Sequence, residues 1–131
     1  MRILLAEDDF VTRKFMTNFL SKYGECDVTV DGMEAVDAFM MAMEDGEPYD
    51  LVCLDIMMPV MDGYQALVGI RNIEKDRNIP EEKMAKGIMA TALNEEKNVK
   101  MAFDLGCTIY SGKPIDQDRF EQALKKLGMI K

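Results

Sequence analysis

The chain has 131 residues, with 16 Lys or Arg against 24 Asp or Glu and no histidine, so its formal net charge is −8 and its isoelectric point is about 4.6. At 48% hydrophobic and 31% charged residues it reads as one globular domain over residues 1–131, and no apolar run approaches the roughly 20 residues of a membrane span. The acidic balance argues against a nucleic-acid partner, and the lack of histidine excludes Ser-His and Cys-His nucleophile pairs and imidazole metal sites.

The start, MRILLA, is too short for a signal peptide and runs into three acids, so a cytoplasmic location is expected. Cys26, Cys53 and Cys107 are odd in number and form no C-x-x-C pair, which suits free intracellular thiols with Cys53 acting as a small buried hydrophobe.

In chain order, residues 3–6 form the first short apolar run, of strand length. Val11, Phe15 and Phe19, with Met16 and Leu20, then repeat at helical spacing. Residues 27–30 alternate, as an edge strand does, and Met33, Val36 and Met40 mark a second helix. Residues 51–54 are a second apolar run, followed by a helix on Leu67 and Ile70. The charge-rich segment 71–86 reads as solvated surface, a prolonged third helix and then a short turn begun by Pro80. Residues 88–90 and 108–110 are two more strands of the buried type, separated by a helix on Val99, Ala102 and Phe103 and followed by a helix on Phe120, Leu124 and Leu127. Gly24 and Gly106 are placed to close helices one and four in the left-handed conformation, and Asp9 and Asp116 to cap helices one and five. The thirteen methionines sit mostly at helix-core spacing and are assigned to the core. Five alternations of strand and helix predict a doubly wound α/β fold with a parallel sheet and helices on both faces.

Ligands of an open α/β sheet bind outside the carboxyl ends of its strands. Strand one ends in Glu7-Asp8-Asp9, strand three in Asp55 and strand four in Thr91, while strand five leads to Lys113-Pro114. Several carboxylates at one edge repel one another unless a cation sits among them, and oxygen-only ligands favour Mg²⁺. Such a cluster with one ammonium and one hydroxyl suits phosphoryl transfer, in which Asp55, ending the central strand, is the best nucleophile candidate.

Over essentially its whole length the sequence resembles the receiver domain of bacterial two-component response regulators, in the stand-alone form of chemotaxis regulators. The stretches that carry this are ILLAEDD, LDIMMPVMDG, ATA at 90–92 and YSGKPI at 110–115. The resemblance implies a flavodoxin-like five-stranded sheet of order 2-1-3-4-5 and a Mg²⁺-dependent phospho-acceptor rather than an enzyme with a separate substrate. It makes Asp55 the phospho-acceptor, Lys113 the phosphate-pairing lysine, Thr91 the switch hydroxyl and Tyr110 the aromatic that moves with it. Asp8 and Asp55 would touch the metal directly, Glu7 through water, and Met57 through its backbone carbonyl. A cis peptide is expected at Lys113-Pro114. The implied partners are a histidine kinase or phosphotransfer protein and an unidentified downstream protein. The latter would bind the face of helix four, strand five and helix five, roughly residues 97–102, 110–112 and 116–122. No membrane partner is implied, and the expected state is a monomer or a weak phosphorylation-dependent dimer.

Other readings fit less well. Glu7-Asp8-Asp9 would repel a flavin phosphate, no G-x-x-x-x-G-K-[ST] is present, and the D-x-D of dehalogenase-like phosphatases is missing after strand one. A binding-only relative of the receiver fold would lack Asp55, Lys113 or Thr91. With about 16 residues after Ile115, a single domain without an attached output domain is expected.

Overall fold

The computed structural model describes the backbone of residues 1–91, 96–112 and 115–131, and the side chains of all of these except 91 and 96–98. The elements run β1 (Arg2–Ala6), α1 (Phe10–Leu20), β2 (Glu25–Thr29), α2 (Gly32–Glu44), β3 (Leu51–Asp55), α3 (Gly63–Asp76), a 3₁₀ turn (Glu81–Lys83), β4 (Lys86–Thr91), α4 (Glu96–Asp104), β5 (Ile109–Gly112) and α5 (Gln117–Lys126). The five strands form one parallel sheet of order β2-β1-β3-β4-β5. Among the described residues no helix is long and apolar enough to cross a membrane.

Strand alternation splits the core into two layers. Ile3, Leu5, Leu51, Cys53, Ile88 and Ala90 face Met16, Phe19 and Leu20 of α1 and Phe120 and Leu124 of α5. Leu4, Ala6, Val52, Leu54 and Met89 face α2, α3 and Ala102 of α4. The inner strands β1 and β3 are buried on both faces, which is why they read as continuous apolar runs. β5 was expected to be of the same kind, but it is an edge strand and only half-buried throughout.

The expected caps of α1 and α5 are formed. Asp9 accepts from the Thr12 backbone N–H at 2.8 Å, and Asp116 accepts from that of Arg119 at 3.1 Å. Gly106 closes α4 at φ +103°, as expected. Gly24 has a different reason for being glycine: a Cβ there would lie 2.1 Å from the Met1 carbonyl oxygen, so close approach of the chain excludes a side chain.

Three apolar assignments change. On α2 the buried face is Gly32, Ala35, Phe39 and Ala42, while Met33 and Met40 stand outside. Small residues let the helix lie close to the sheet, and Phe39 fills the layer. Val11 and Phe15 of α1 are likewise exposed. Of the methionines, Met16 and Met89 are buried and Met1, Met43, Met58, Met61 and Met129 pack against the core partly buried, so the core assignment holds for these and fails for the exposed Met33, Met40, Met41, Met57 and Met101.

Segment 71–86 does begin with a prolonged α3 and a turn opened by Pro80, but it is more than solvated surface. Glu74 is fully buried and accepts from the Arg71 guanidinium at 2.6 Å and from the Ala85 N–H at 2.7 Å. Arg71 also donates to the carbonyls of Ala85 and Gly106, both at 2.8 Å. One ion pair therefore ties α3 to the entry of β4 and to the turn after α4. Arg71→Met is expected to lower the unfolding free energy by about 3–5 kcal/mol in urea titrations, because it leaves a buried carboxylate without its cation.

Val60 is 76% exposed and sits at φ +68°, a conformation that opposes its β-branch. Since asparagine tolerates this region, Val60→Asn is expected to raise stability by about 1 kcal/mol in the same titration.

Candidate functional site

The site forms at the carboxyl edge of the sheet because β1 and β3 are neighbours. Their pairing sets Ala6 beside Leu54, so the residues that follow Ala6 emerge next to Asp55. Carboxylate oxygens of Glu7, Asp8 and Asp55 lie within 4.8 Å of one another. Glu7 and Asp55 are buried, at 2% and 5% exposure, and Asp8 is open to solvent.

Local bonds hold this arrangement. The Glu7 N–H donates to the Thr29 carbonyl at 3.1 Å, which ties the acidic turn to the end of β2. The Arg13 guanidinium donates to the carbonyls of Glu7 and Asp8 at 3.1 and 3.2 Å, so a cation on α1 braces the turn from behind. The Asp9 N–H donates to the Glu7 carboxylate at 3.1 Å while the Asp9 side chain caps α1. Asp9 therefore serves as the cap, as expected.

Asp55 is positioned by its own strand and by the loop that follows. It pairs with Ala90 on β4, and the Ile56 N–H donates to the Ala90 carbonyl at 3.2 Å. The loop returns so tightly that the Gly63 N–H donates to the Ile56 carbonyl at 2.9 Å, and a Cβ on Gly63 would lie 2.4 Å from the Asp55 carbonyl oxygen. The glycine at the start of α3 is thus required by the backbone of Asp55. Asp62 caps α3 in a reciprocal arrangement with Gln65. Met57, two residues after Asp55, has its side chain turned to solvent.

Thr91 ends β4 opposite Gly112 on β5, one residue before Lys113. The Thr91 side chain lies outside the described residues, as do Lys113 and Pro114, and with them the expected ammonium and cis peptide. A cavity of about 450 Å³ opens beside the acids, between α1 and the sheet. Its walls include Val11, Phe15, Met16, Ala90 and Ile115, with Glu7 and Asp55 at its polar end.

Tyr110 of β5 is half-buried and packs against the α2/α3 side of the core. A neighbour there that the sequence does not announce is Tyr64, on the first turn of α3, which packs against the same core layer and interacts electrostatically with Tyr110. Burial first, and then Tyr110 and Asp62 nearby, push the Tyr64 phenol up to about 12. The only trace of Tyr64 in the sequence is an aromatic directly after Asp62-Gly63. The three cysteines are free. Burial pushes Cys26 and Cys107 up to about 11 and Cys53 further up, which leaves all three thiols protonated and unreactive at neutral pH.

Hard carboxylate oxygens, one of them exposed and two buried, make a donor set suited to Mg²⁺ and poorly suited to zinc or copper. The three acids thus fit the ion.

A family model for the response regulator receiver domain matches residues 3–125. The chain is 37% identical to the chemotaxis protein CheY of Treponema pallidum over 120 residues, covering 90% of this chain and 76% of that protein. It is 32% identical to probable histidine kinase 2 of rice, covering 95% of this chain but only 12% of the kinase's length. Among solved structures, the CheX–CheY–BeF₃–Mg²⁺ complex of Borrelia burgdorferi contains a chain similar to this one, with a TM-score of 0.82, 29% identity, and coverage of 100% of this chain and 90% of that one. The receiver domain of the yeast response regulator Ssk1, solved with the phosphotransfer protein Ypd1, shares the fold with a TM-score of 0.82 at 23% identity, over 98% of this chain and 88% of that one. With the order β2-β1-β3-β4-β5, the acids gathered beside Asp55 and a family match across nearly its entire length, this chain belongs to the response regulator receiver domain family.

Proposed function

We propose that the chain is a single receiver unit in which Asp55 accepts a phosphoryl group from the phosphohistidine of a histidine kinase or phosphotransfer protein. The observation that carries this reading is the buried carboxylate of Asp55, at the end of the central strand, held within 4.8 Å of the carboxylates of Glu7 and Asp8. An Asp55 oxygen attacks phosphorus, the O–P bond forms as the N–P bond breaks, and the imidazole leaves and takes up a proton.

Asp8 and Asp55 would hold Mg²⁺ directly, Glu7 through water and Met57 through its carbonyl. The bound ion would neutralise charge on the transferring oxygens. Arg13 keeps Glu7 and Asp8 in position by gripping their carbonyls. Lys113 would pair with the phosphoryl group and Thr91 would donate to it, roles that rest on the motif and on the register that brings the ends of β4 and β5 together. We place the protein in the cytoplasm, in keeping with its three free thiols.

Phosphorylation adds charge and acceptor oxygens beside β4. Recruitment of Thr91 would alter the space that Tyr110 occupies and so change the α4–β5–α5 face, on which a downstream protein would dock. Such coupling needs two states whose balance both sites bias. Tyr64, packed in the same core layer as Tyr110, would bias the position of that ring and so take part in this switch.

Acetyl phosphate with Mg²⁺ is expected to add the mass of one phosphate to the wild-type chain and none to Asp55→Asn or to wild type in EDTA. Equal labelling of Asp55→Asn would remove the assignment. Tyr64→Phe is expected to leave labelling intact and to shift the NMR signals of Tyr110 in the unphosphorylated protein. Signals that stay unchanged would exclude Tyr64 from the switch.

A further inference from the structure

The outward side of α2 carries a feature that phosphoryl transfer does not use. Met33, Met40 and Met41 are 47%, 41% and 61% exposed, although the helix buries Ala35, Phe39 and Ala42 well. At 100° per residue, Met33, Glu34, Asp37, Met40, Met41 and Glu44 fall within one face about 120° wide. The pairs Met33/Met40, Glu34/Met41 and Asp37/Glu44 are each seven residues apart, so methionine and carboxylate interleave over successive turns.

The charge around this face is one-sided. Residues 23–70 contain eleven Asp or Glu and no Lys or Arg, whereas the other 83 residues carry 13 acids against 16 bases. Among the described ion pairs, basic side chains from outside this stretch reach it at Arg77, 3.7 Å from Glu44, and at Arg2, which pairs with Asp27 and Glu47. The Arg77–Glu44 pair is exposed on both sides and readily exchanged.

We propose that the outward face of α2 is a docking surface for a basic amphipathic helix of a protein partner. Charge complementarity requires Lys or Arg opposite Glu34, Asp37 and Glu44. The methionines require an apolar stripe, for which their unbranched, polarizable side chains provide an adaptable bed. A helix side has no free backbone groups for an added strand, so a helix is the element that fits. A second copy of this chain fits poorly: its basic helix α5 has no large hydrophobic side chain exposed beside Arg119, Lys125 and Lys126.

The face is also tied to the phosphoryl site. The Gly32 N–H donates to the Met61 carbonyl at 3.0 Å, and a Cβ on Gly32 would lie 2.2 Å from that oxygen. The N-terminus of α2 therefore rests on the loop that follows Asp55, where Met57 and Val60 extend the exposed apolar surface. Docking itself does not require phosphorylation of Asp55.

The test uses a fluorescent Leu/Lys amphipathic peptide of about 18 residues, long enough to form a helix, with a scrambled peptide of the same composition as control. Anisotropy is expected to show saturable binding of the amphipathic peptide, weakened by added salt, and NMR shifts are expected to fall on residues 33–44. The Met33→Gln/Met40→Gln/Met41→Gln variant and the Asp37→Asn/Glu44→Gln variant are each expected to weaken binding about tenfold or more. Met101→Gln, on the exposed part of α4, is expected to leave it unchanged. Equal binding of the scrambled peptide, shifts confined to α1 or to the α4–β5–α5 face, or insensitivity to both α2 variants would overturn the proposal. So would sedimentation showing dimers of the chain that the α2 variants abolish, since a second copy would then be the occupant.

Discussion

The pairing of β1 with β3 is the constraint on which the rest of this structure depends. Those strands bring the acids after Ala6 to the end of the strand that carries Asp55, and three carboxylates converge although their charges oppose it. The energy that holds them together comes from elsewhere. β1 and β3 are buried on both faces, and each apolar side chain removed from water contributes about 1.5–3 kcal/mol. Repulsion at one edge is a small term beside two packed layers, and a cation bound among the acids would relieve it.

The same edge explains the glycines and the arginine around it. Gly63 and Gly32 both sit where a β-carbon would strike a carbonyl, of Asp55 in one case and of Met61 in the other. The loop after Asp55 is therefore held between the starts of α2 and α3. Arg13 completes the frame by donating to carbonyl groups, which leaves the carboxylates of Glu7 and Asp8 directed to the site. Function at this edge rests on backbone positions as much as on the acids themselves.

At the opposite end of the sheet, the Arg71–Glu74 pair performs a comparable task. Burying it costs solvation of both charges, which the hydrogen bonds to Ala85 and Gly106 offset. It anchors the turn after α4 at Gly106, so movement of α4 driven from the Thr91 end would have a fixed point. In the proposed switch the α4–β5–α5 face would thus be held at one end by this pair and coupled at the other to the edge that carries Asp55.

Much of this was legible in the sequence. Apolar runs of strand length separated by 3.6-residue periodicity determine a parallel α/β sheet, because right-handed crossovers leave few other arrangements. Acids at the ends of strands one and three then locate the site, since such sheets bind ligands at their carboxyl edge. Asp9 and Asp116 declared themselves as caps because capping is a local interaction of adjacent residues. What the sequence left open was decided by contacts between residues distant along the chain. The exposure of Met33 and Met40 follows from Ala35 and Phe39 taking the sheet-facing side of α2, a choice between two apolar stripes on one helix. Gly24 owes its identity to Met1, Tyr64 part of its raised pKa to Tyr110, and Glu74 its burial to Arg71, Ala85 and the packing of α3. Periodicity reports that a helix has an apolar side. Only the packed structure determines which side that is, because volume and close approach act between elements and leave no local mark.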